Sequence, residues 1–425
     1  MKEYQDMRDY TRKSPLFDSH EHFNGIKDLA AALPGYDFLN GVNGMVFAEI
    51  MAAAGTEFGR VSYDKLTEES VQRLLSAALT TGNGLALKLF AQDFLEMNEV
   101  SAHTLPELNE RVRSLVNKYS ASELYDYMCG NCGIRWIIND DYRYMPFNIE
   151  SIETDFPDFV YNTVRLDPLL NPADSAELKE TERAYDTAIT SLQDLEDLLE
   201  KRIRCIAEYP GTVSLKSAMA YVRALDMKNP SRQDAETSFN LMLNGRVFDA
   251  GALMDYLLNK MFSLAGELDL PVQLHTGFNA GIYGDFRNGN PLPLIPTLQR
   301  HPDTKFVLFH SSWPFAEQLG ALGKAFPNVW LDMSWSWNLS PLSMQQQLKN
   351  WLGSVPSNKI TVFGGDGWTP VWSAASALLA KRCTADVLSE LVNTDYFSRR
   401  DAEETADRLL YKNGLELYDI KEQKE

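Results

Sequence analysis

Eight short runs of β-branched and aromatic residues, most of them separated by helical segments, predict an α/β fold of the (β/α)8 barrel class. Size agrees: 425 residues exceed the roughly 100–200 of a typical domain and suit one barrel carrying an insertion. So does chemistry. Most of the runs end in a polar or metal-competent residue, and in such a barrel the site lies at the carboxyl ends of the strands.

The runs, in order, are Ser14 to His20, Ile134 to Asn139, Phe159 to Leu166, Thr212 to Lys216, Pro271 to His275, Phe306 to His310, Val329 to Asp332 and Ile360 to Gly364. Between them, Glu177 to Glu208 reads as one long charged amphipathic helix. Ala250 to Leu268 repeats apolar residues at helical spacing, and Phe315 to Phe326 opens just after Pro314, which suits an early helical position. The whole chain, 1–425, reads as a single (β/α)8 domain. Its largest irregularity is the stretch 23–133 between the first two strands. That stretch is helical in pattern (Glu68 to Leu79, Leu87 to Glu96, Leu108 to Val116, Ser122 to Met128) and is predicted to be a helical insertion folded as a lid over the barrel mouth.

Composition narrows the function. With 44% hydrophobic and 23% charged residues the chain has ample apolar surface for a core, which excludes disorder over most of its length. Forty basic against 59 acidic residues leave a net charge of −19, which repels phosphate backbones and argues against nucleic-acid partners. No run of about 18 apolar residues is present to span a membrane, and the polar start MKEYQDMRDYTRK has no apolar signal region. Four cysteines are too few for a disulfide framework. The expectation is a cytoplasmic protein acting on a small molecule. The Cys129–Cys132 pair lacks a second CxxC or a nearby histidine and reads as two small residues at a helix end before Gly133.

Of six histidines, four fall at predicted strand ends. His20 and His22, two apart on a strand, point the same way. Imidazole suits zinc and related divalent ions, so the two supply half a coordination shell. His275 ends the fifth strand, His310 the sixth, and Asp366 follows the eighth in GGDGW, completing a ring directed at one point. His103 and His301 sit in loop or cap contexts. Thr276 to Pro291 is rich in Gly and Asn, and its Arg287 is a candidate contact for an anionic substrate group. Trp313, Trp335, Trp337, Trp368 and Trp372 follow the late strands; they can wall a pocket, with at least half expected only to pack the rim. Asp332 and the Asp140–Asp141 pair, also at strand ends, can hold ligand histidines in one tautomer.

The ordered pattern resembles the amidohydrolase superfamily of metal-dependent TIM-barrel enzymes. More narrowly it is similar to the amidohydrolase-2 group and to the amidohydrolase domain that fungi fuse to a glutamine-synthetase-like domain, and more distantly to uronate isomerases. The segments that carry this are FDSHEHF (17–23), GIRWIINDD (133–141), VRLDPLL (164–170), SLKSAMAYVRAL (214–225), VQLHTGFNAG (272–281), NPLPLIPTLQRHPDTKFVLFHSSWPF (290–315), PNVWLDMSW (327–335), ITVFGGDGW (360–368) and the tail 390–420.

The resemblance implies His20, His22, His275 and Asp366 as ligands of a divalent metal, with zinc the expected ion. His310 is then a second-metal ligand or a catalytic side chain. Lys216 either bridges two ions once carboxylated or clamps a substrate carboxylate. Independently of the resemblance, Trp313 and Trp335, placed after the sixth and seventh strands, are candidate substrate contacts. Two departures stand out: Arg223 lies one position later than the arginine of relatives, and Gly365 replaces the usual serine before the last aspartate. The implied reaction is hydrolysis of an amide, lactone or ester by a metal-activated water, with Asp366 as base and then acid and His310 stabilising the oxyanion. The alternatives are non-oxidative decarboxylation, uronate-type isomerisation, or a metal-binding barrel without activity. Barrels of this kind often pair through their helices, so a homo-oligomer is expected.

Overall fold

A computed structural model describes residues 2–54, 67–141, 155–172, 174–246 and 249–422. Eight parallel strands follow one another in sequence order: β1 (Leu16–Glu21), β2 (Ile134–Asn139), β3 (Val160–Arg165), β4 (Thr212–Ser217), β5 (Val272–Leu274), β6 (Phe306–Leu308), β7 (Val329–Asp332) and β8 (Ile360–Thr361). Each pairs with the next. The residues just after β8 return to β1: Ser19 N–H donates to the Phe363 carbonyl at 3.0 Å, and Asp366 N–H to the His20 carbonyl at 2.9 Å. The sequence of strands therefore closes on itself as a (β/α)8 barrel, and all eight predicted runs are strands. Such strands are covered on both faces, and β1, β5 and β6 are buried at every position.

Inside the barrel, Phe17, Trp136, Ile138, Val307 and Phe309 form a cluster with Leu415, Leu417, Tyr418 and Ile420 of the C-terminal segment. Phe17 stacks on Tyr418, and Gln273 donates to the Tyr418 hydroxyl at 3.0 Å. Phe17 and His20 are three apart, so strict alternation places them on opposite faces. The register shift between Asp18 and Glu21 lets Phe17 join the cluster that contains Phe309 while His20 meets the Phe309 ring edge-on at 4.8 Å.

One expectation about the helices changes. The stretch read as one helix over Glu177 to Glu208 is two, Ser175–Ala184 and Leu192–Glu208. Asp186 turns into the left-handed region, and Ser191 with Asp194 forms a capping box that restarts the helix. The described part of 23–133 holds the helices Ile26–Ala32, Phe38–Ala54, Glu68–Ala78, Gly82–Phe94, Leu105–Val116 and Ala121–Cys132. The helices Gly82–Phe94 and Ala121–Cys132 pack on the long helix Pro370–Asn393, at the flank of the barrel. The helix Phe38–Ala54 does reach the rim, where Glu49 accepts a hydrogen bond from Gly281 N–H in the loop after β5. Part of the insertion, 55–66, lies outside the described residues. Cys129 and Cys132 are buried, unbridged, and end their helix before Gly133, which takes φ 73° as the cap.

Among the described residues no single helix is long and apolar enough to cross a membrane.

Candidate metal centre

The carboxyl ends of the strands meet in a cavity of about 640 Å³. His20, His22, Lys216, His275, His310 and Asp366 all line it, so the predicted ring comes together. His22 Nε2 lies 3.1 Å and His20 Nε2 3.6 Å from Asp366 Oδ1, and His310 Nδ1 lies 3.8 Å from its other oxygen. Burial alone raises the Asp366 carboxyl. The hydrogen bond from His22 and the neighbouring charges of His310 and Lys216 outweigh it and hold the group well below the ordinary range, so it is a carboxylate.

The backbone is bent to make this possible. Asp366 has φ 52°, Trp335 φ 60°, and His310, Ser311 and Ser312 have φ 60°, 52° and 49°. Non-glycine residues in this region cost of order 1–3 kcal/mol each and persist only where the surroundings over-determine them. Five of the eleven non-glycine residues with positive φ among the described residues are these site positions.

The ring nitrogens show what the site can hold. His22 Nδ1 faces the Asp140 carbonyl at 2.8 Å and its Nε2 faces Asp366 Oδ1 at 3.1 Å; both partners accept, so these two contacts call for one more proton than a neutral ring carries. His20 Nδ1 is buried without a hydrogen-bond partner. His275 Nε2 faces the Phe278 carbonyl at 3.0 Å, His310 Nδ1 faces the Ser334 carbonyl at 3.0 Å, and between them His310 Nε2 meets His275 Nδ1 at 3.0 Å. Carbonyls only accept, so three contacts need three N–H groups, whereas two neutral imidazoles carry two. Burial pushes His275 well down and His310 to about 4, so a third proton is disfavoured near neutral pH. A cation that engages ring lone pairs resolves the mismatch. This donor set of imidazoles and carboxylate, with one orphaned nitrogen, fits a divalent metal ion.

Among the described residues, one grouping shares His20 and His22 with the predicted ligand set and brings Asp140 in place of the expected His275 and Asp366. His20, His22 and Asp140 offer ligand atoms within 4.8 Å of one another and could hold a metal ion. The expected role of Asp140 is to orient a histidine; its main-chain oxygen faces His22, and its carboxylate receives Arg165.

The remaining predicted contacts divide. Lys216 is 1% exposed; its Nζ lies 3.4 Å from His20 Nε2 and 3.9 Å over the Phe309 ring, and burial pushes it down to about 8. Trp335 and Trp368 line the cavity, Trp335 edge-on to His310. Trp313 lines an adjoining cavity of about 550 Å³ together with Glu49 and Phe278. Trp337 and Trp372 pack in the rim, donating to the carbonyls of Val362 and Gly365. Arg287 lies away from the cavity: its side chain is 84% exposed and pairs with Asp285, its neighbour in a short turn. Arg223 pairs with Asp255 on the flank. Asp332 does not reach a histidine. It accepts from Thr361 and from Ser334 N–H, and Ser334 then presents its carbonyl to His310. His301 caps a helix and contacts Asn259.

Sequence reasoning missed Arg165, Asp167 and Tyr221, which line the cavity after β3 and β4. Arg165 pairs with Asp140, Asp167 accepts from Ala218 N–H, and the Tyr221 ring lies tilted against His275 with centroids 4.5 Å apart. Arg165 could have been found: it is the cation that ends the third strand.

Together these features define a barrel whose strand ends assemble a cation-binding site at the floor of a pocket. The chain belongs to the amidohydrolase family, whose model, described as Amidohydrolase, matches residues 176–420. It is 29% identical to Protein fluG of Emericella nidulans over 234 residues, which are 50% of this chain and 26% of that protein, so the chain spans about a quarter of that relative. Among solved structures it resembles a uronate isomerase of Thermotoga maritima (16% identity, 98% and 97% of the two chains covered, TM-score 0.78). It likewise resembles a glucuronate isomerase of Caulobacter crescentus (17% identity, 100% and 95% covered, TM-score 0.73). A candidate metal-dependent hydrolase of Lactobacillus casei is also similar (18% identity, 97% of each covered, TM-score 0.62). At these identities the structures speak for the fold.

Proposed function

We propose that this chain is a metal-dependent hydrolase that cleaves a C–N or C–O bond of a small, anionic polar substrate. The observation that supports it is the convergence of His20, His22, His275, His310 and Asp366 on one cavity, where the neutral rings of His275 and His310 carry too few protons for their contacts. His20, His22, His275 and Asp366 are the proposed ligands; Asp140, occupied by Arg165, braces His22. Zinc is the proposed ion because the donors are mainly imidazole. When bound, such an ion acts as a Lewis acid and lowers the pKa of a coordinated water to roughly 7.

The chain's own groups do the rest. Asp366 Oδ1, ionised and facing the cavity, accepts a proton and returns it to the leaving group. His310, oriented by the Ser334 carbonyl, polarises the substrate carbonyl. Lys216 and Arg165 hold a substrate carboxylate, and Trp335, Trp368 and Tyr221 wall the pocket and exclude water. The helix Phe38–Ala54 serves as the lid portion of the insertion. A small-molecule substrate, no nucleic-acid or membrane partner, pairing with a second copy and a cytoplasmic location complete the proposal; four unbridged cysteines suit a reducing compartment.

A second reading is isomerisation of a sugar acid. The paired cations Lys216 and Arg165 suit a uronate as well as a hydrolysable acid, and the fold is that of uronate isomerases. Decarboxylation of an aromatic acid is a third use of the same pocket. The test is a carboxylate-substrate panel with product mass as readout. Hydrolysis adds water and splits the molecule, isomerisation leaves the mass unchanged, and decarboxylation releases carbon dioxide. Activity that survives complete demetallation overturns all three.

A further inference from the structure

Between the two ligand histidines stands Glu21, fully buried and on the opposite side of β1 from them. Its Oε2 accepts from Gly367 N–H at 2.6 Å, and its Oε1 accepts from the Ser373 hydroxyl of the helix Pro370–Asn393. A Cβ added at Gly365 would stand on Oε1 and 2.9 Å from the Glu21 Cδ. The carboxyl group thus fills the space beside Asp366 that any side chain at 365 would need. The surrounding backbone is laced to the same segment: Asp366 N–H to the His20 carbonyl, and His22 N–H to the Gly367 carbonyl at 2.8 Å. Only two residues of β8 pair as strand, so the ladder does not fix Asp366; its left-handed φ of 52° is held by these links.

We propose that Glu21 is the positioning residue of the metal centre, clamping the 365–367 loop against β1 so that Asp366 faces His20 and His22. The inference rests on the metal reading above. It assigns a task to the one residue of the HEH triplet that faces away from the cavity. It also explains Gly365: the chain carries no side chain there because Glu21 occupies its place.

The test combines Zn²⁺ titration of chelator-treated protein with hydrogen exchange at the Gly367 amide of the metal-free form. Glu21→Ala is expected to lose about 10–100-fold in Zn²⁺ affinity, the range for residues that support ligands, and to expose the Gly367 amide. Glu21→Gln, which keeps an oxygen acceptor, retains most of both. Gly365→Ala weakens Zn²⁺ binding in the wild-type background and has no further effect in the Glu21→Ala background, where its methyl has room. If Glu21→Ala does not fold, Gly365→Ala on Glu21→Gln must still weaken binding, because the amide fills the same volume. Wild-type affinity and a protected Gly367 amide in Glu21→Ala overturn the proposal, as does additivity of the two substitutions. Failure of the wild type to take up Zn²⁺ sinks the metal reading instead, while Gly367 exchange still reports whether Glu21 holds the loop.

Discussion

His310 Nε2 lies 3.0 Å from His275 Nδ1 while the outer nitrogens of both rings face main-chain carbonyls. The arrangement is short of one proton in its neutral form, and burial disfavours adding it. Protein stripped by chelator should regain stability when Zn²⁺ is restored, by about 2.7 kcal/mol at a free concentration 100 times Kd. Calorimetry with and without metal checks this, and no change in Tm refutes a site coupled to the fold. Affinity should fall as pH drops, since protons compete for the same ring nitrogens.

Asp366 carries the proton chemistry in the proposed reaction. Asp366→Asn keeps the shape and one oxygen but removes the base. Turnover should fall by about 10²–10⁴-fold. Substrate binding, which the proposal assigns to Lys216 and Arg165, should change far less. Conversely, Lys216→Met should chiefly raise KM. Steady-state kinetics on an active substrate separates the two, and a Lys216→Met enzyme with unchanged KM removes the carboxylate clamp from the account.

The contrast between what could and could not be read in advance has physical causes. The strands were legible because apolar runs bounded by polar ends are a local signal, and the histidine ring was legible because each member ends a strand. Arg165 ends β3 as the histidines end their strands, but an arginine is no metal ligand and so carries no metal-site signal; Tyr221 lies in the short helical turn Met219–Tyr221 after β4, where no strand-end signal marks it. Arg287 failed for the opposite reason. Its loop looked like a substrate arm, but Asp285 two residues away supplies a bidentate partner and keeps the guanidinium outside. The break at 185–191 was written in Ser191 and Asp194, a capping box inside what an amphipathic pattern alone joins into one helix.

Thiol chemistry offers a check on the fold itself. Cys129, Cys132 and Cys383 are buried, and burial pushes their thiols up, Cys132 and Cys383 to about 12. Thiolate is the reactive form, so these three should resist a disulfide reagent in the native protein. Cys205, half-buried on the helix Leu192–Glu208, should react first. A colorimetric titration should count one fast thiol per native chain and four after denaturation. Rapid native labelling of the Cys129–Cys132 pair contradicts the packing of that helix on the barrel flank.

His301 provides a pH dependence remote from the metal. Burial, with help from the Arg300 charge, lowers its pKa from 6.5 to about 4. The folded ring stays neutral, with Nε2 facing Asn259 Oδ1 at 2.8 Å as donor, while the unfolded ring takes a proton near pH 6.5. Between pH 6.5 and 4 the unfolded chain therefore binds more protons, so stability from this residue is complete above 6.5 and drains away as pH falls toward 4. His301→Gln keeps a donor but does not titrate. Its Tm should therefore fall less steeply than wild type across that window, and the two should run parallel above pH 7. Parallel curves throughout would show that His301 is already protonated in the fold or that the unfolded ring does not titrate near 6.5.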